Sequence, residues 1–332
     1  MSFDSDLTDL YIASPDDRGK RLDVVLASRY PDLSRSQIKR AIGEGRVCVN
    51  DGPAKAGLTL RPGDRIVFRD TTPRAWNVEA EDIPLSVVFE DESIIVIDKP
   101  PGLVVHPGAG NDRGTLVNAL LFHCRDLSGV GGSLRQGIVH RLDKNTSGIM
   151  VAAKNDDVHR SLARQFKNRQ VTRLYKAVVA GAMPRAEGVI EAPIGRHRTN
   201  RKKMTTSTDR GRQAVTRWNL SRAFGRVASL LDVRIETGRT HQIRVHLKDI
   251  GHPVLGDAVY GSRSGGIHAL RQGGLQKALK AMNRQALHAA ALGLYHPLRK
   301  KHMEFTAPLP EDMTLLLSEL EKLTGGTDNV HS

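Results

Sequence analysis

The sequence predicts an α+β protein in two parts: a small N-terminal α/β module and a larger domain on a mostly antiparallel mixed sheet flanked by helices and loops. Three observations predict it. At 332 residues the chain is about twice the size of a typical single domain. Two helical patterns followed by short strand patterns sit within 19–70 and are set off by a polar stretch with two prolines and no period. Beyond Leu85 strand patterns are interspersed with unevenly spaced helices, the arrangement of α+β rather than of regularly alternating α/β domains.

The elements follow in chain order. Residues 1–18 hold five Asp and one Arg and read as a disordered acidic tail. The first helix is expected over 22–30 and the second over 34–44, with Ser34 as N-cap and Ile38 and Ile42 one turn apart on one face. Its other face offers Arg35, Lys39 and Arg40. Gly45 suits a C-cap, 46–50 reads as a strand, and Asp51-Gly52 and 61–64 read as turns before a strand at 65–68. Residues 71–84 are expected as a linker. The second domain, 85–325, opens with strands in LSVVFE and SIIVID and a Lys99-Pro-Pro-Gly102 turn. A helix follows at 116–124, a strand at 149–154, and an amphipathic helix at 156–168 with Val158, Leu162 and Phe166 on one stripe. Strands come at 173–180, 227–236 and 287–296, and a short helix at 241–250 turns Ile243, Leu247 and Ile250 inward. Residues 262–283 form a Gly- and basic-rich connection without a motif, and 326–332 a disordered tail.

Composition narrows the function. Fifty Lys and Arg against 36 Asp and Glu give a net charge of +14, which favours a polyanionic partner, nucleic acid before membrane. No run approaches the roughly 18 apolar residues of a membrane span, and the acidic N-terminus does not read as a secretory signal. Two cysteines, Cys48 and Cys124, far apart and in no CxxC pair, fit a reducing compartment, so the expectation is a cytoplasmic protein without a membrane partner. The glycines at 108–114 form neither a P-loop nor a dinucleotide fingerprint. His241 and His246 lack the HExxH arrangement of zinc ligands. Neither a cofactor nor a metal is expected.

Three segments concentrate polar chemistry. GIVHRLDKNTSG (137–148) sets Asp143 in a loop between two strand patterns with His140, Arg141 and Lys144 around it. Flanking cations favour the ionised form of a carboxylate, which a nucleophile needs; a turn-forming Asp beside Asn145 is the plainer alternative. RLYKAVV (173–179) places Tyr175 on the same strand face as Ala177 and Val179. TGRTHQIRVH (237–246) sets Arg239, His241 and Arg244 before and along a short helix. This is more polarity than a solvated helix face requires. Residues 196–212 hold seven basic residues and one Asp without aromatics, which suits a loop that follows phosphates.

HRLDKNTSG, the Leu-Tyr-Lys strand and GRTHQIRVHL, in this order, resemble the motifs of the RluA group of pseudouridine synthases. DKPPGLVVHPG (98–108), HPVLGDAVYG (252–261) and RQALHA (284–289) extend the resemblance over most of 85–310, and VVHPGAGN with GTLVNALL make it similar to the RluD type. Separately, RLDVVL, LSRSQIKRAIGEGRVCVN and RPGDRI within 19–70 resemble an S4 RNA-binding domain. The resemblance implies the pseudouridine synthase fold and an isomerase that converts uridines of large-subunit (23S) ribosomal RNA, free or in a pre-ribosomal particle. It points to an intersubunit stem-loop as the target. A monomer is expected.

The same resemblance implies residue roles. Asp143 corresponds to the catalytic aspartate; accounts of the family differ over whether it attacks the sugar, attacks C6 of the uracil, or acts as base. Arg244 corresponds to the arginine that pairs with it, and a guanidinium can grip both oxygens of a carboxylate. Tyr175 corresponds to the tyrosine stacked on the target base. Arg141 corresponds to the side chain inserted where the flipped nucleotide leaves the stack, and Ile243 to a pocket-lining aliphatic. His140, Arg239 and His241 are further candidates for RNA contact, and on the S4 segment Arg35, Lys39, Arg40 and Arg46 for phosphate contact. The competing readings are an assembly factor that holds RNA without turnover, and a methyltransferase or nuclease, for which neither a SAM-binding turn nor a metal-binding carboxylate cluster is visible.

Overall fold

In the computed structural model of the chain, residues 7–30, 35–70, 78–108, 111, 113–124, 127–128, 136–200, 203–208, 211–261 and 273–325 are described. The chain divides into two compact units, Met1–Asn77 and Val78–Ser332. No described helix is long and apolar enough to cross a membrane.

The first unit contains β1 (Leu7–Ile12), a 3-10 turn (Pro15–Asp17), α1 (Leu22–Arg29), α2 (Arg35–Gly43), β2 (Val47–Val49), β3 (Gly52–Pro53) and β4 (Arg65–Asp70). Its sheet runs β1-β4-β2-β3, antiparallel throughout. Leu22 and Leu26 of α1, Ile38 and Ile42 of α2, and Val47, Ile66 and Phe68 of the sheet form its core. The helical spacing of apolar residues in the sequence is thus the face buried here. One expectation fails: 7–17 is not a disordered tail. Leu7 to Ile12 pair residue by residue with Asp70 to Arg65. Asp9 accepts from the Tyr30 hydroxyl, and Asp17 accepts from the Tyr11 hydroxyl, the Ser14 N–H (2.9 Å) and the Ser14 hydroxyl (2.8 Å). Two of the acids that suggested disorder, Asp9 and Asp17, are tether and turn acceptors. Residues 1–6 and the N-cap expected at Ser34 lie outside the described residues.

Four cations expected to face phosphate also have protein partners. Buried Asp23 takes Arg21 at 2.9 Å, Arg35 at 2.9 Å and Lys39 at 3.5 Å, while Glu44 takes Arg40 at 2.6 Å and Arg46 at 2.8 Å. The Arg21 hydrogen bond first, outweighing burial, and then Arg35 hold the Asp23 carboxyl down to about 2, from an ordinary 3.8. Its contribution to stability is complete above pH 3.8 and is lost as pH falls through about 2, because only the folded unit resists protonation there. We expect hydrogen exchange at α1 and α2 amides to accelerate across that window in wild type, and the acceleration to vanish in Asp23→Asn. An unchanged exchange profile in that variant would remove Asp23 from the account.

The second unit contains β5 (Ser86–Glu90), β6 (Ile94–Lys99), α3 (Leu116–His123), β7 (Ser147–Ala153), α4 (Asp156–Lys167), β8 (Thr172–Ala180), β9 (Glu187–Glu191), β10 (Gly195–Arg196), β11 (Met204–Thr205), β12 (Val215–Phe224), β13 (Ala228–Ile235), α5 (Gln242–Asp249), α6 (Gly273–Met282), β14 (Leu287–Tyr295), β15 (His302–Thr306) and α7 (Glu311–Thr324). Nine of these strands make one sheet, ordered β5-β6-β7-β14-β8-β13-β12-β9, with β15 also on β14. Every pairing in it is antiparallel except β7 with β14, so the sheet is mixed. Strand β7 is buried along its whole length. Met150 and Ala152 face one core with α3, α5, α6 and α7, and Ile149, Val151 and Ala153 face a second core with α4. Successive side chains on a strand point to opposite faces, so a near-continuous apolar run marks a strand covered on both.

Three differences from expectation arise here. Residues 78–84, read as linker, are tied to this unit: Asn118 donates to the Glu79 carbonyl at 2.8 Å and accepts through its own carbonyl from the Glu81 N–H at 3.0 Å. Helix α6 occupies the end of the connection read as motif-free, with Leu275, Ala278 and Met282 buried at helical spacing. Helix α7, not anticipated, buries Met313, Leu316 and Leu320 and stops at Gly325 in the left-handed conformation. Residues 71–77, 262–272 and 326–332 lie outside the described residues.

The parallel contact between β7 and β14 depends on Gly148. It sits opposite Ala289 with φ +114, and a Cβ there would overlap the Ala289 backbone, 2.6 Å from its nitrogen. Gly148→Ala therefore combines steric overlap with a backbone conformation disfavoured for alanine, a cost of roughly 3 kcal/mol or more. Thermal unfolding followed by circular dichroism should show a loss of at least about 6 °C; a melting temperature within about 2 °C of wild type would refute the strain argument.

Candidate active site

Residues 136–146 form the loop that enters β7, and its register is fixed before the sheet begins. Ile138 bridges to Ala152, and the Thr146 N–H donates to the Asp143 carbonyl at 3.0 Å, closing a turn that presents the Asp143 side chain. The loop is gripped from two sides. Buried Lys99, at the end of β6, donates to the carbonyls of Pro100 (2.7 Å), Leu103 (3.0 Å) and Lys144 (3.1 Å). Burial first, and then Arg284, push its ammonium down to about 7, while three carbonyls match the three protons of the charged form. From the other side Arg284 clasps both oxygens of Asp312 (2.6 and 2.7 Å) and reaches the Asn145 carbonyl at 3.3 Å. Gln285 donates to the Thr146 hydroxyl at 3.0 Å.

Asp143 meets the short helix α5 across the site. Arg244 Nη1 donates to Asp143 Oδ2 at 2.8 Å. The expected two-oxygen grip on Asp143 is absent: the fork of Arg244 closes on Asp257 instead, Nε to Oδ2 at 2.7 Å and Nη2 to Oδ1 at 2.8 Å. Asp257, fully buried, also takes the N–H groups of Val259 (2.9 Å) and Tyr260 (3.0 Å). Burial is the largest influence and opposes ionisation of Asp257, but Arg244 together with the Tyr260 and Val259 N–H groups holds the carboxyl below its ordinary range. One guanidinium thus spans two carboxylates, with the buried one fixing its plane and the partly exposed one presented to the cavity.

His241 opens α5 in the left-handed conformation, φ 58. Its Nδ1 lies 2.8 Å from the Tyr260 hydroxyl, which accepts the Met204 N–H at 2.8 Å, and its Nε2 lies 4.0 Å from Asp143 Oδ2. Burial, partly offset by Asp143, lowers the His241 pKa and favours the neutral ring.

The remaining expected residues separate into two groups. Tyr175, Ile243, Arg239, Arg141 and His140 all line one cavity of about 590 Å³ with Asp143 and Arg244, within the roughly 300–1,000 Å³ of small-molecule sites. Tyr175 is buried on β8, and burial, then Asp143, raise its phenol while Arg173 lowers it; the net shift is upward, so it is a neutral phenol near pH 7. Arg141 is exposed, 3.3 Å from His106. His140, by contrast, stacks on Phe166 at 4.6 Å and its Nε2 accepts the Val151 N–H at 3.1 Å. Burial, then Arg173, push its pKa down to about 3. Its polar ring edge is committed to fixing the loop on β7.

Arg35, Lys39, Arg40 and Arg46 belong to the first unit and take no part in this cavity. Lys99, Asp257, Tyr260, Arg284 and Asp312 were not singled out from sequence, although the first four fall inside segments that carried the resemblance. Among the described residues no group of three or more His, Cys, Asp or Glu is placed to hold a metal ion.

Comparison with known proteins accords with this geometry. Residues 93–249 match the family model described as RNA pseudouridylate synthase, and residues 20–66 match the S4 domain. The chain is 46% identical over 310 residues to ribosomal large subunit pseudouridine synthase D of Zymomonas mobilis, covering 91% of this chain and 94% of that protein. It is 44% identical over 310 residues to an uncharacterized RNA pseudouridine synthase of Bacillus subtilis, covering 93% and 97%. A solved structure, human RNA pseudouridylate synthase domain containing 4, superposes with a TM-score of 0.55 at 26% identity over 71% of this chain and 93% of that one. Identity above 40% over nine-tenths of the chain, with the matches at 93–249 and 20–66, places the chain in the RNA pseudouridine synthase family, an RNA isomerase joined to an S4 domain.

Proposed function

We propose that the protein converts particular uridines of large-subunit ribosomal RNA to pseudouridine in the Asp143 cavity, with the target in a stem-loop at the subunit interface, as the resemblance to RluD-type enzymes implies. The observation that carries the site assignment is the Arg244 hydrogen bond to Asp143 at the cavity floor (2.8 Å). The choice of RNA rests on the relatives named for the large ribosomal subunit.

The reaction breaks the N1–C1′ bond, turns the base, forms C5–C1′, releases the C5 proton to solvent and takes up one proton at N1, so the product is an isomer of the substrate and no oxidant or reductant is needed. Cleavage of such a bond develops positive charge at C1′, which an adjacent carboxylate stabilises or traps. Asp143 is the carboxylate on that floor, kept in register by Arg244. Tyr175, a neutral phenol, offers its ring face to the uracil. A paired base is out of reach, and unstacking one costs a few kcal/mol; exposed Arg141 at the rim is placed to fill the gap. His241, with Nε2 towards Asp143, limits the positions open to that carboxylate.

The test uses large-subunit ribosomal RNA with tritium at C5 of its uridines, because each isomerisation releases one tritium to water. Release by wild type, followed by mapping of the pseudouridines, is the expected result. Tight RNA binding without release would favour an RNA-holding assembly factor.

A further inference from the structure

One wall of the cavity carries more positive charge than the protein neutralises. Arg173, on β8 two residues before Tyr175, is 8% exposed and lines the cavity. Its Nη2 donates to the carbonyls of Ile235 and Glu236, both at 3.2 Å, but its Nε has no partner. Among the described residues no carboxylate forms an ion pair with it. Gly238 faces Nη1 so closely that a Cβ there would lie 3.0 Å away, so this end of the guanidinium is kept open by the absence of a side chain. A buried guanidinium without a counter-charge is unfavourable in the free protein.

The neighbours accentuate the imbalance. Lys167, Arg169, Arg212 and Arg239 line the same cavity. Arg239 is lowered by burial and then by Arg212 and Arg169, so these three arginines stand close enough to repel one another. The single acid on this wall, Glu236, is already engaged by Arg217 at 2.8 Å and Arg169 at 3.6 Å. The other cavity carboxylate, Asp143, is held by Arg244.

We propose that Arg173, with Arg169 and Arg239 beside it, forms a phosphodiester subsite that grips one of the two backbone phosphates flanking the flipped uridine. The inference rests on the function proposed above, since a nucleotide must enter this cavity for its phosphate to arrive there. The donor-rich wall suits a singly charged phosphodiester: Nη1 of Arg173, on the side that Gly238 leaves open, offers a donor to a phosphate oxygen, with Arg169 and Arg239 lining the same cavity. Tyr175 follows Arg173 on the same strand and its phenol responds to both Arg173 and Asp143, so gripping the phosphate on one side of the ring sets the base over it. Arg173 is in this account a substrate-binding residue and a positioning residue for the base.

The experiment compares wild type with Arg173→Met, Arg173→Lys and Arg169→Gln, using the full chain. It measures melting temperature and the salt dependence of binding to a large-subunit ribosomal RNA transcript. For Arg173→Met the slope of log affinity against log salt should shrink by about one, the effect of one lost phosphate contact. Its melting temperature should hold or rise, because an uncompensated buried charge has been removed. Arg173→Lys should keep most of the slope, and Arg169→Gln should lower affinity with a smaller slope and an unchanged fold. An unchanged slope in both Arg173→Met and Arg169→Gln overturns the subsite, as does a lowered melting temperature of Arg173→Met with wild-type salt dependence, which would make Arg173 a clasp for the β13 carbonyls. Binding does not require turnover, so wild-type protein that binds but releases no tritium would defeat the proposed function and leave this measurement readable.

Discussion

Asp143→Asn should lose at least about a thousandfold in tritium release, a barrier increase of about 4 kcal/mol, while RNA affinity and melting temperature stay near wild type. The fold is expected to survive because the buried member of the pair is not left alone. Arg244 keeps its two-point grip on Asp257 (2.7 and 2.8 Å) when Asp143 loses its charge. The asparagine also retains an oxygen to accept from Arg244 Nη1. What disappears is the negative charge at the cavity floor. Release within about tenfold of wild type would remove Asp143 from the chemistry, whereas loss of RNA binding would make it a recognition residue.

The opposite asymmetry holds for Asp257→Ala. Here the buried guanidinium loses both bonds that fix its plane and retains one to Asp143, and the N–H groups of Val259 and Tyr260 lose their acceptor. Removing one partner of a buried ion pair costs roughly 3–5 kcal/mol. In a unit of this size that is a fall of about 10 °C in melting temperature. Activity should fall too, since Arg244 then no longer holds Asp143 in one position. A melting temperature within about 2 °C of wild type would show that Arg244 finds its orientation from elsewhere.

The contrast between the two variants also marks what the sequence disclosed. Asp143, Tyr175 and Arg244, which line one cavity, stood out in sequence because the segments that hold them resemble the motifs of a known family. Their convergence followed from the order of the motifs. Asp257 did not, although only 13 residues from Arg244, because Gly-Asp in a turn has an ordinary local explanation and its partner is set by how α5 packs. Arg284 and Lys99 reach the Asp143 loop across 139 and 45 residues, distances over which only the register of the sheet decides contact. The same reason explains β1: acidity is a property of the segment, whereas the strand exists because β4 offers it an edge. Helix α7 has a readable 3.6-residue period in Met313, Leu316 and Leu320, a pattern that marks a buried face and carries no chemistry.

The lattice of bonds under Asp143 has a consequence for how targets are chosen. Lys99, Arg284 and Gln285 hold the Asp143 loop, and Asp257 holds Arg244, by bonds made entirely within the chain. A cavity floor tied by the chain's own bonds asks little of the binding energy for its assembly. Discrimination among uridines then passes to the transcript. A base in a strained or weakly stacked loop reaches a waiting floor often, and one in a regular duplex rarely does, so the enzyme reads the breathing of its substrate as much as its sequence.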